Sequence, residues 1–545
     1  MVKGTTVGTI SDADGSYRIN AKPSDVLICT FFGYKPQEIT VGNRSAINFA
    51  IAEDNTKIDD VVVVGYGTLK KTQLVGAVEN LSGEALEGRT NSSITRSLQG
   101  QVPGLNIVQV DGKPTHQGQV YIRGGNTSFA SRKSMTSAEG ANHSIGQGGS
   151  ALVLIDGVEG DLTTVNPEDV ETVSVLKDAS SAAVYGARGA FGVILVTTKK
   201  PVKDNIRVNY NGSFSLNHRT VMWEDNLVTD GLQWLDNFVE FFQNDSRTPT
   251  SSGKLPGNVN NRSDTYSAAY HEEFRRRKAA GETDPYGMTD AGNYAYYGST
   301  NWLDMFYKDY STAHTHNLSI SGSSDKVSYA LTGRYYNQDG IYKIGVEEFK
   351  TYNLRAKGDI KLTKWLTLEN NTSVFKRKYH QPMVAGGSQP ILRQFEHRGQ
   401  PIYTPYNEDG TLTFYGASVM YGAFQDGSSY QENNKLDVIT TTALNIEPIK
   451  DVLKIRGDFT YKAIRSDQVR ISDIQKGYSA PNAPEQYNSS SYKSDWRYNT
   501  DYVASNIVLT WTPKLGDNHN LNVVGGWNIE KTNYRRLYLQ RKGLL

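Results

Sequence analysis

Four short stretches contain residue types at spacings that could support ligand binding or catalysis. KIDDVVVVGYGTLKK (residues 57–71) places Gly65-Tyr66-Gly67 after four valines, like a buried strand that opens onto a phosphate-binding loop. GARGAFG (186–192) is a second glycine-rich turn. HEEFR (271–275) begins like a zinc-protease helix, and DADGSY (12–17) begins like a calcium-binding loop. These stretches could therefore indicate nucleotide, zinc or calcium chemistry.

Each motif lacks a residue that its chemistry requires. A dinucleotide fingerprint that starts at Gly65 needs glycine at the position of Lys70, and the glycines of GARGAFG are spaced G-x-x-G-x-x-G. The zinc helix needs a second histidine where the chain has Arg275. The calcium loop reaches Gly15 one ligand early, so it is better interpreted as a tight hairpin turn. The sequence therefore predicts no enzyme, no cofactor and no metal site.

The composition excludes further classes of function. The 545 residues have a formal net charge of +1, which gives no electrostatic reason to expect nucleic acid as a partner. The single cysteine, Cys29, excludes an intramolecular disulfide framework. Tyrosine is abundant, with 33 residues, and it favours half-buried strands and interfaces. The composition therefore indicates a protein rich in β-structure.

The texture of the sequence changes along the chain and predicts four regions. Residues 1–52 contain short alternating runs that indicate a small β-sandwich, and residues 53–70 read as a linker with one extended segment. Residues 71–200 mix short strands, helices and glycine turns, as in a compact α+β domain. From residue 205 to 545, roughly ten segments alternate between apolar and polar residues with a period of two. The predicted fold class is mainly β.

The long alternating segments allow two architectures. In LKIRGDFTYK (453–462), Leu453, Ile455 and Phe459 fall on one face and charged residues on the other. A soluble antiparallel sheet with one wet face gives this pattern, and so does a membrane β-barrel with lipid outside and a polar lumen. Segment length, aromatic residues near segment ends, and short connections such as LTKWL beside long ones favour the barrel.

Several motifs together resemble the SusC/RagA-like family of TonB-dependent outer-membrane transporters of Bacteroidetes. VKGTTVGTISDADGSYRI (2–19) looks like the carboxypeptidase-regulatory-like module of that family, and DDVVVVGYGT (59–68) matches its TonB box region. LQGQVPGLNI (98–107) and VYIRGG (120–125) resemble early plug motifs. VLKDASSAAVYGARGAFGVILVTTKK (175–200) matches the plug signature and is the most specific of these stretches. The resemblance implies a β-sandwich module, an α+β plug and part of a transmembrane β-barrel that has 22 strands in the intact family.

The resemblance gives the valine run a function. The TonB box would comprise Asp60, Val61, Val62, Val63, Val64 and Gly65, which the inner-membrane energy coupler TonB, with ExbB/ExbD, would grip from the periplasm. A β-branched, extended segment can add as a strand to a partner's sheet edge, where backbone hydrogen bonds supply the affinity. The alternative is that the valines form an ordinary core strand.

The resemblance also implies roles for residues of the plug. The glycines would serve tight turns and close packing and would not bind ligand. Arg123 and Arg188 would pair with carboxylates of the plug or the barrel, because a plugged lumen accommodates buried charge when it is paired; direct ligand contact is the weaker alternative. The plug-signature residues are Arg123, Gly124, Asp156, Gly157, Lys177, Asp178, Tyr185, Gly186, Arg188, Gly189 and Gly192.

Import of large nutrients is the function that the resemblance implies. The substrates would be oligosaccharides or peptides, captured with a SusD-like surface lipoprotein and carried across the outer membrane, whose lipid would surround the barrel. Aromatic loops such as NYAYYGSTNWLDMFY (293–307) and MYGAFQDGSSYQENN (420–434) could stack on sugar rings. The alternative function is a non-transporting outer-membrane receptor that captures ligand or signals.

The chain departs from the family pattern at both ends. No apolar run is long enough for a transmembrane helix, and the start MVKGTTVGTISDADG is not a signal peptide. Taken alone, these two features would favour a cytoplasmic protein, although barrel strands need no such apolar run. Family members begin with a signal peptide and have 22 strands, so we expect this sequence to be a fragment of a longer outer-membrane protein. Such a fragment would leave an open sheet edge, and we expect that it could not transport by itself.

Overall fold

The computed structural model divides the chain into two compact units, Met1–Gly76 and Ala77–Leu545. Each unit is described by itself. The structure describes residues 1–3, 5, 7–12, 15–30, 37–50, 61–64, 67–70, 78–86, 93–108, 113–115, 119–122, 151–201, 206–219, 227–244, 268–383, 399–419, 421–486, 491–515 and 521–543.

The first unit contains two small antiparallel sheets. Strands β1 (Val26–Cys29) and β2 (Gln37–Thr40) form one sheet, which Val2 joins through a single bridge to Leu27. Strands β3 (Val61–Val64) and β4 (Gly67–Lys70) form the other. Buried Val2, Leu27 and Val41 make a small core. The described residues of this unit thus form short antiparallel strands with a small core, as the alternating runs predicted.

The second unit begins with a mixed α+β domain. Its five-stranded sheet has the order β5-β10-β11-β8-β9, in which β11 pairs parallel to β8 and antiparallel to β10, while β6 and β7 form a separate pair. Val173 and Val175 of β10 and Ile194 of β11 are fully buried, as the nearly continuous apolar runs of these two strands require. The elements are β5 (Val78–Ser82), α1 (Ile94–Leu98), β6 (Leu105–Val108), β7 (Gln119–Ile122), β8 (Leu152–Ile155), β9 (Val158–Glu159), β10 (Val170–Leu176), α2 (Ala179–Ala182) and β11 (Val193–Thr198).

The rest of the second unit is a nine-stranded antiparallel sheet with helices between some of its strands. The sheet has the order β12-β15-β16-β17-β18-β19-β20-β23-β24, so sequential neighbours pair throughout. Its elements are β12 (Arg207–His218), α3 (Gly231–Asn244), α4 (Ala268–Ala279), β13 (Tyr286–Met288), β14 (Tyr294–Tyr296), α5 (Trp302–Phe306), β15 (Tyr310–Ser323), β16 (Val327–Asp339), β17 (Glu348–Lys361), β18 (Leu366–Pro382), α6 (Phe414–Ser418), α7 (Tyr421–Asp426), β19 (Tyr430–Ile449), β20 (Leu453–Ser472), β21 (Lys476–Ala480), β22 (Ala483–Gln486), β23 (Tyr492–Trp511) and β24 (Val523–Lys542).

This large sheet curves around the α+β domain and forms a partial barrel. Asn211 on the first strand and Glu530 on the last both contact the domain, through Glu168 and Arg188 respectively. The period-2 prediction is confirmed: Phe459 is 55% exposed on the outer face, whereas its neighbour Thr460 is buried on the inner face. The apolar residues therefore face outward and the polar residues face the enclosed domain, the reverse of a soluble sheet that covers a core.

The two rims of the partial barrel differ in their connections. At one rim, residues 324–326, 362–365 and 450–452 are short turns between neighbouring strands, and the LTKWL turn lies here as predicted. At the other rim, residues 219–309 and 383–429 are long connections that contain helices. The described parts of these long connections pack into one aromatic-rich cluster, which we call the cap, around Trp302, Phe306 and Phe424. Among the described residues, no helix is both long enough and apolar enough to cross a membrane.

Candidate functional site

The contact between the α+β domain and the inner face of the partial barrel contains two clusters of buried charged side chains. The first cluster forms at the turn between β8 and β9. Asp156 adopts a left-handed conformation with φ 48°, followed by Gly157 with φ 86°, and together they form this tight turn. Asp156 Oδ1 accepts a hydrogen bond from the Thr198 backbone N–H at 2.9 Å, and Oδ2 accepts one from the Thr198 hydroxyl at 2.6 Å.

Arg355 of β17 connects this turn to a second carboxylate. Its Nη1 donates to Asp156 Oδ2 at 3.1 Å, and its Nε lies 3.6 Å from Asp169 Oδ2. Asn371 of β18 donates to the same Asp156 oxygen at 2.7 Å, and Lys357 Nζ lies 3.9 Å from Asp156 Oδ1. One guanidinium thus bridges two acidic side chains from different parts of the α+β domain.

The two carboxyl groups respond differently to burial. For Asp156, burial opposes ionisation, but Lys357, Arg355 and the Thr198 hydrogen bonds outweigh it, so the pKa is lowered. For Asp169, burial dominates over the attraction of Arg355, and the pKa is raised. The stabilising contribution of Asp156 is therefore present above its ordinary pKa of 3.8 and is lost as the pH falls through its lowered value.

A second charge cluster lies beside the first. Asp161 caps a short helical turn by accepting the Thr163 backbone N–H at 2.9 Å, and its Oδ2 lies 3.0 Å from Lys435 Nζ of β19. Lys435 also lies 3.2 Å from Asp437 on the same strand, and both side chains are buried. Burial disfavours the ionised form of Asp161, but Lys435 and Thr163 reverse the effect, so the pKa is strongly lowered.

Further contacts extend the interface around the wall. Lys462 Nζ donates to the Glu159 carbonyl at 3.0 Å, and Asn353 Nδ2 donates to the Thr164 carbonyl at 2.7 Å. At the last strand the charges are exchanged: the domain supplies the cation, Arg188, and the wall supplies the carboxylate, Glu530, at 2.9 Å. Arg188 also lies 3.7 Å from Glu159. Burial alone would lower the pKa of Arg188, but the carboxylates of Glu530 and Glu159 outweigh burial and raise that pKa. Breaking one side of such buried pairs leaves an uncompensated charge, so together they fix one position of the domain in the barrel.

A small polar cavity lies within this interface. Its volume is about 40 Å³, and Asp156, Asp169, Asn353, Arg355 and Asn371 contribute to its lining. This volume suits ordered water, which needs two to four polar partners, and it is far below the several hundred Å³ of a small-molecule site. A solute larger than water therefore does not fit between this part of the wall and the domain in the arrangement described.

The structure describes only part of the predicted TonB box. Asp60, Gly65, Arg123 and Gly124 lie outside the described residues. Residues Val61–Val64 are extended and form strand β3, which pairs antiparallel with β4 (Gly67–Lys70). The segment therefore has the conformation that strand addition uses.

The predicted plug-signature residues occupy two kinds of position. Asp156 and Arg188 lie at the contact with the barrel wall, where they form the ion pairs described above, and Gly157 follows Asp156 in the tight turn with φ 86°. The other described residues of the signature lie within the domain. Lys177 is 3.3 Å from Glu79, Asp178 precedes α2, and Tyr185 is buried. Among the glycines, Gly186 has φ 58° and Gly192 has φ 89°, while Gly189 packs against Ala182 and Gly192 against Ile122.

Sequence reasoning missed the residues that form most of the interface. Asp161, Asp169, Arg355, Lys357 and Lys435 were not predicted. A signal existed for the wall residues, because Arg355 and Lys357 share one face of a period-2 strand whose other face is apolar. The acidic residues of the domain give no comparable signal, since isolated aspartates are common in turns.

The interpretation of the aromatic loops as sugar-stacking surfaces is wrong for their main aromatic side chains. Tyr296, Trp302, Phe306, Tyr307 and Phe424 are buried in the cap. Phe306 and Phe424 pack edge to face, with ring centroids 5.5 Å apart. These rings stabilise the long connections by burying apolar surface, so they are not available to a sugar.

Comparison with known proteins identifies the two parts of the chain that the motifs indicated. Residues 70–193 match the TonB-dependent Receptor Plug Domain family, and residues 1–63 match the CarboxypepD_reg-like domain family. The TonB-dependent receptor P26 of Formosa agariphila is 27% identical over 545 residues, which cover 97% of this chain and 47% of the relative. The TonB-dependent receptor SusC of Bacteroides thetaiotaomicron is 31% identical over 344 residues, covering 63% of this chain and 28% of SusC.

The fold agrees with these sequence matches. A structure of the RagAB peptide importer in an open-open state superposes with a TM-score of 0.65, covering 89% of this chain and 50% of the matched chain at 22% identity. The chain spans about half the length of the first curated relatives that it matches. The sequence matches identify the five-stranded domain as a TonB-dependent receptor plug, and the matched relatives are TonB-dependent receptors, a class of proteins that are not enzymes. The matched domains, the relatives and the fold support a SusC/RagA-like TonB-dependent receptor, in agreement with the resemblance of the motifs.

Proposed function

We propose that this chain is the plug-and-wall part of an importer that carries oligosaccharides or peptides across the outer membrane with energy supplied through TonB. The observation on which this rests is the plug–wall interface. Buried ion pairs around Arg355 and Lys435 hold the plug against the wall, and the cavity between them holds about 40 Å³. A solute larger than water can therefore pass along this part of the wall only if the plug moves.

The extended segment at residues 60–65 is the proposed point where the work that moves the plug is applied. A strand of β-branched residues can pair with the sheet edge of TonB and transmit a pulling force through its backbone hydrogen bonds. In the proposed cycle, TonB with ExbB/ExbD pulls this segment and the plug rearranges. Relatives support the class: SusC is a TonB-dependent receptor, and the RagAB neighbour is a peptide importer.

The outer face of the wall and the difference between its two rims support a proposed orientation in the outer membrane. The exposed apolar outer face fits outer-membrane lipid, with the short turns toward the periplasm and the cap outside the cell. A SusD-like surface lipoprotein would sit over the cap and deliver the substrate. The proposed domains remain those of the sequence: the module at 1–52, the linker at 53–70, the plug at 71–200 and the wall at 205–545.

The experiment that tests this function replaces two residues of the proposed TonB box. Val62→Pro/Val63→Pro removes two backbone donors and blocks strand addition, whereas Val62→Thr/Val63→Thr keeps them and preserves β-propensity. In cells whose only copy of the receptor is the variant, we expect uptake of labelled oligosaccharides or peptides to be abolished by the proline pair and retained by the threonine pair.

Two readouts separate this function from its alternative. Surface binding of the labelled substrate and capture of the purified periplasmic domain of TonB are measured on the same cells and proteins. Loss of TonB capture with retained surface binding is the expected result for the proline pair. Uptake that is indifferent to the proline pair would refute the TonB box, and binding without uptake by the unmodified receptor would instead indicate a non-transporting surface receptor.

A further inference from the structure

The outer face of the wall has a row of aromatic side chains across four neighbouring strands. Tyr210, His316, Tyr335 and Tyr352 come from β12, β15, β16 and β17. Successive ring centroids are 6.2, 6.4 and 5.2 Å apart. On the side of the short turns, the same face is apolar, with Leu331 and Leu354 exposed. On β15, β16 and β17 the rings lie at the end of this apolar band, whereas on β12 the exposed Phe214 and Leu216 continue it beyond Tyr210. Amphipathic aromatic rings at the end of an apolar band mark the level where a membrane meets water.

Three lysines occupy the outer face at and just beyond this aromatic row. Lys376 of β18 is directly opposite Tyr352 in the strand register, so it lies at the level of the row. Lys350 of β17 and Lys378 of β18 are directly opposite each other one step farther from the apolar band. The side chains of Lys376 and Lys378 are exposed. The sheet thus places three ammonium groups in one patch, which we name the lysine patch.

The charge of the lysine patch is only partly neutralised by the described residues. Glu348 pairs with Lys350 at 2.5 Å. Within the described part of the chain, neither Lys376 nor Lys378 has an ion-pair or hydrogen-bond partner for its ammonium group. The next carboxylate outward, Glu432, lies 3.4 Å from His380. Like charges directly opposite each other on neighbouring strands destabilise a sheet, so this arrangement favours an external anion.

We propose that the lysine patch binds the phosphorylated headgroup of a lipid in the outer leaflet of the membrane. The aromatic row places the ammonium groups at headgroup depth, and the apolar band below them would contact the acyl chains of the same lipid. Phosphate offers several strong acceptor oxygens that can be shared between neighbouring ammonium groups. The inference rests on the membrane orientation in the proposed function but concerns a surface that the import mechanism does not use.

The test measures lipid binding to the purified receptor in neutral detergent. The probe is lipid A that carries its two phosphates, titrated into the wild type and Lys376→Gln/Lys378→Gln while bound lipid is followed by native mass spectrometry. The matched control is Lys326→Gln/Lys364→Gln, which removes the same charge from exposed positions in two short turns at the opposite rim. Equal melting temperatures check that the variants fold, and Lys350→Gln serves as a second variant of the patch.

A lysine near a membrane surface contributes on the order of 1 kcal/mol, so we expect the Lys376→Gln/Lys378→Gln variant to bind about tenfold or more weakly. The control should bind like the wild type, and dephosphorylated lipid A should bind the wild type as weakly as lipid A binds the variant.

Three results would overturn the proposal: equal binding by the patch variant and the wild type, equal binding of dephosphorylated lipid A, or full displacement of lipid A by millimolar inorganic phosphate. The last would indicate a site for a free anion. The lipid assay measures binding and not uptake, so a negative result would not refute import. Conversely, a negative result in the TonB-box experiment would not refute lipid binding by the lysine patch.

Discussion

Arg355 shows what a single side chain does in the plug–wall interface. Its guanidinium presents several N–H donors in a fixed plane, so one residue can reach carboxylates on two different turns of the plug. Asp156 and Asp169 are buried where they meet it, so neither can replace its partner with bulk water. A buried pair of this kind contributes little net stability compared with an apolar contact, but it makes any other position of the plug costly.

Removing Arg355 should therefore loosen the plug strongly. We expect Arg355→Ala to lower the free energy of plug unfolding by about 3–5 kcal/mol, because it removes the cation that bridges two buried carboxylates and leaves Asp156 with Lys357 alone. The measurement is urea unfolding of the receptor in detergent, followed by a spin label on the plug. The control is Arg497→Ala, whose pair with Asp495 is exposed on the outer face and which should change stability by at most about 1 kcal/mol.

The same titration repeated at lower pH checks the electrostatic cause. The lowered pKa of Asp156 means that its stabilising contribution exists in full above the ordinary value of 3.8, declines below that value and is lost as the pH falls through the lowered pKa. The difference between the wild type and Arg355→Ala should therefore shrink on acidification. A difference that stayed constant as the pH fell well below 3.8 would mean that Arg355 acts through packing and not through charge.

At the scale of elements, the long connections form a folded cap and not a set of free loops. Helices α3 to α7 share one apolar cluster, and its aromatic rings pack mostly edge to face. Such packing contributes beyond simple area burial and gives the cap a defined shape. The buried aromatic core of the cap is therefore closed to a ligand, and only the exposed surface of the cap is open to one.

Two phenylalanines, one in the core of the cap and one on its exposed surface, test how the cap is packed. Phe306 is fully buried, so we expect Phe306→Ala to cost about 3–5 kcal/mol, whereas Phe241, which is 68% exposed, should tolerate the same change with little loss. Thermal unfolding followed by near-ultraviolet circular dichroism measures both. Equal effects of the two substitutions would mean that the cap is not packed as described.

The sequence predicted elements better than it predicted their contacts. Period-2 alternation located the wall strands, and the strand–helix–turn–strand order around β10 and β11 followed from glycines and apolar runs. The pairing of Arg188 with Glu530 could not be read, because 342 residues separate them and their meeting depends on the curvature and register of the whole wall. The cap was misread because an aromatic-rich connection looks the same in sequence whether its rings face water or each other.

At the scale of the whole molecule, the polarity of the wall is reversed relative to a soluble protein. A consequence is that the cost of an outward-facing charge depends on its height. We expect Phe459→Arg, in the apolar band, to cost about 2–4 kcal/mol of folding free energy in a bilayer. Leu539→Arg is the control: Leu539 is 56% exposed, almost as Phe459 is, but it lies beyond the band and opposite Asp495, so its replacement should cost little.

Folding into phosphatidylcholine vesicles from urea, monitored by tryptophan fluorescence, measures this difference. The expected result is a lower urea midpoint for Phe459→Arg alone. If both arginines were tolerated equally, the outer face would not be in contact with lipid, and the alternative of a soluble sheet would regain support.

The inequality of the two rims has a further consequence for the way in which the wall assembles. The pairs β15–β16, β17–β18 and β19–β20 are joined by turns of a few residues, so each can close as a hairpin with little loss of chain entropy, on a microsecond scale. Joining one hairpin to the next requires closing connections such as 383–429, whose entropic cost rises only logarithmically with length. Insertions in the cap should therefore slow assembly only slightly, whereas lengthening a short turn would weaken the unit from which the wall is built.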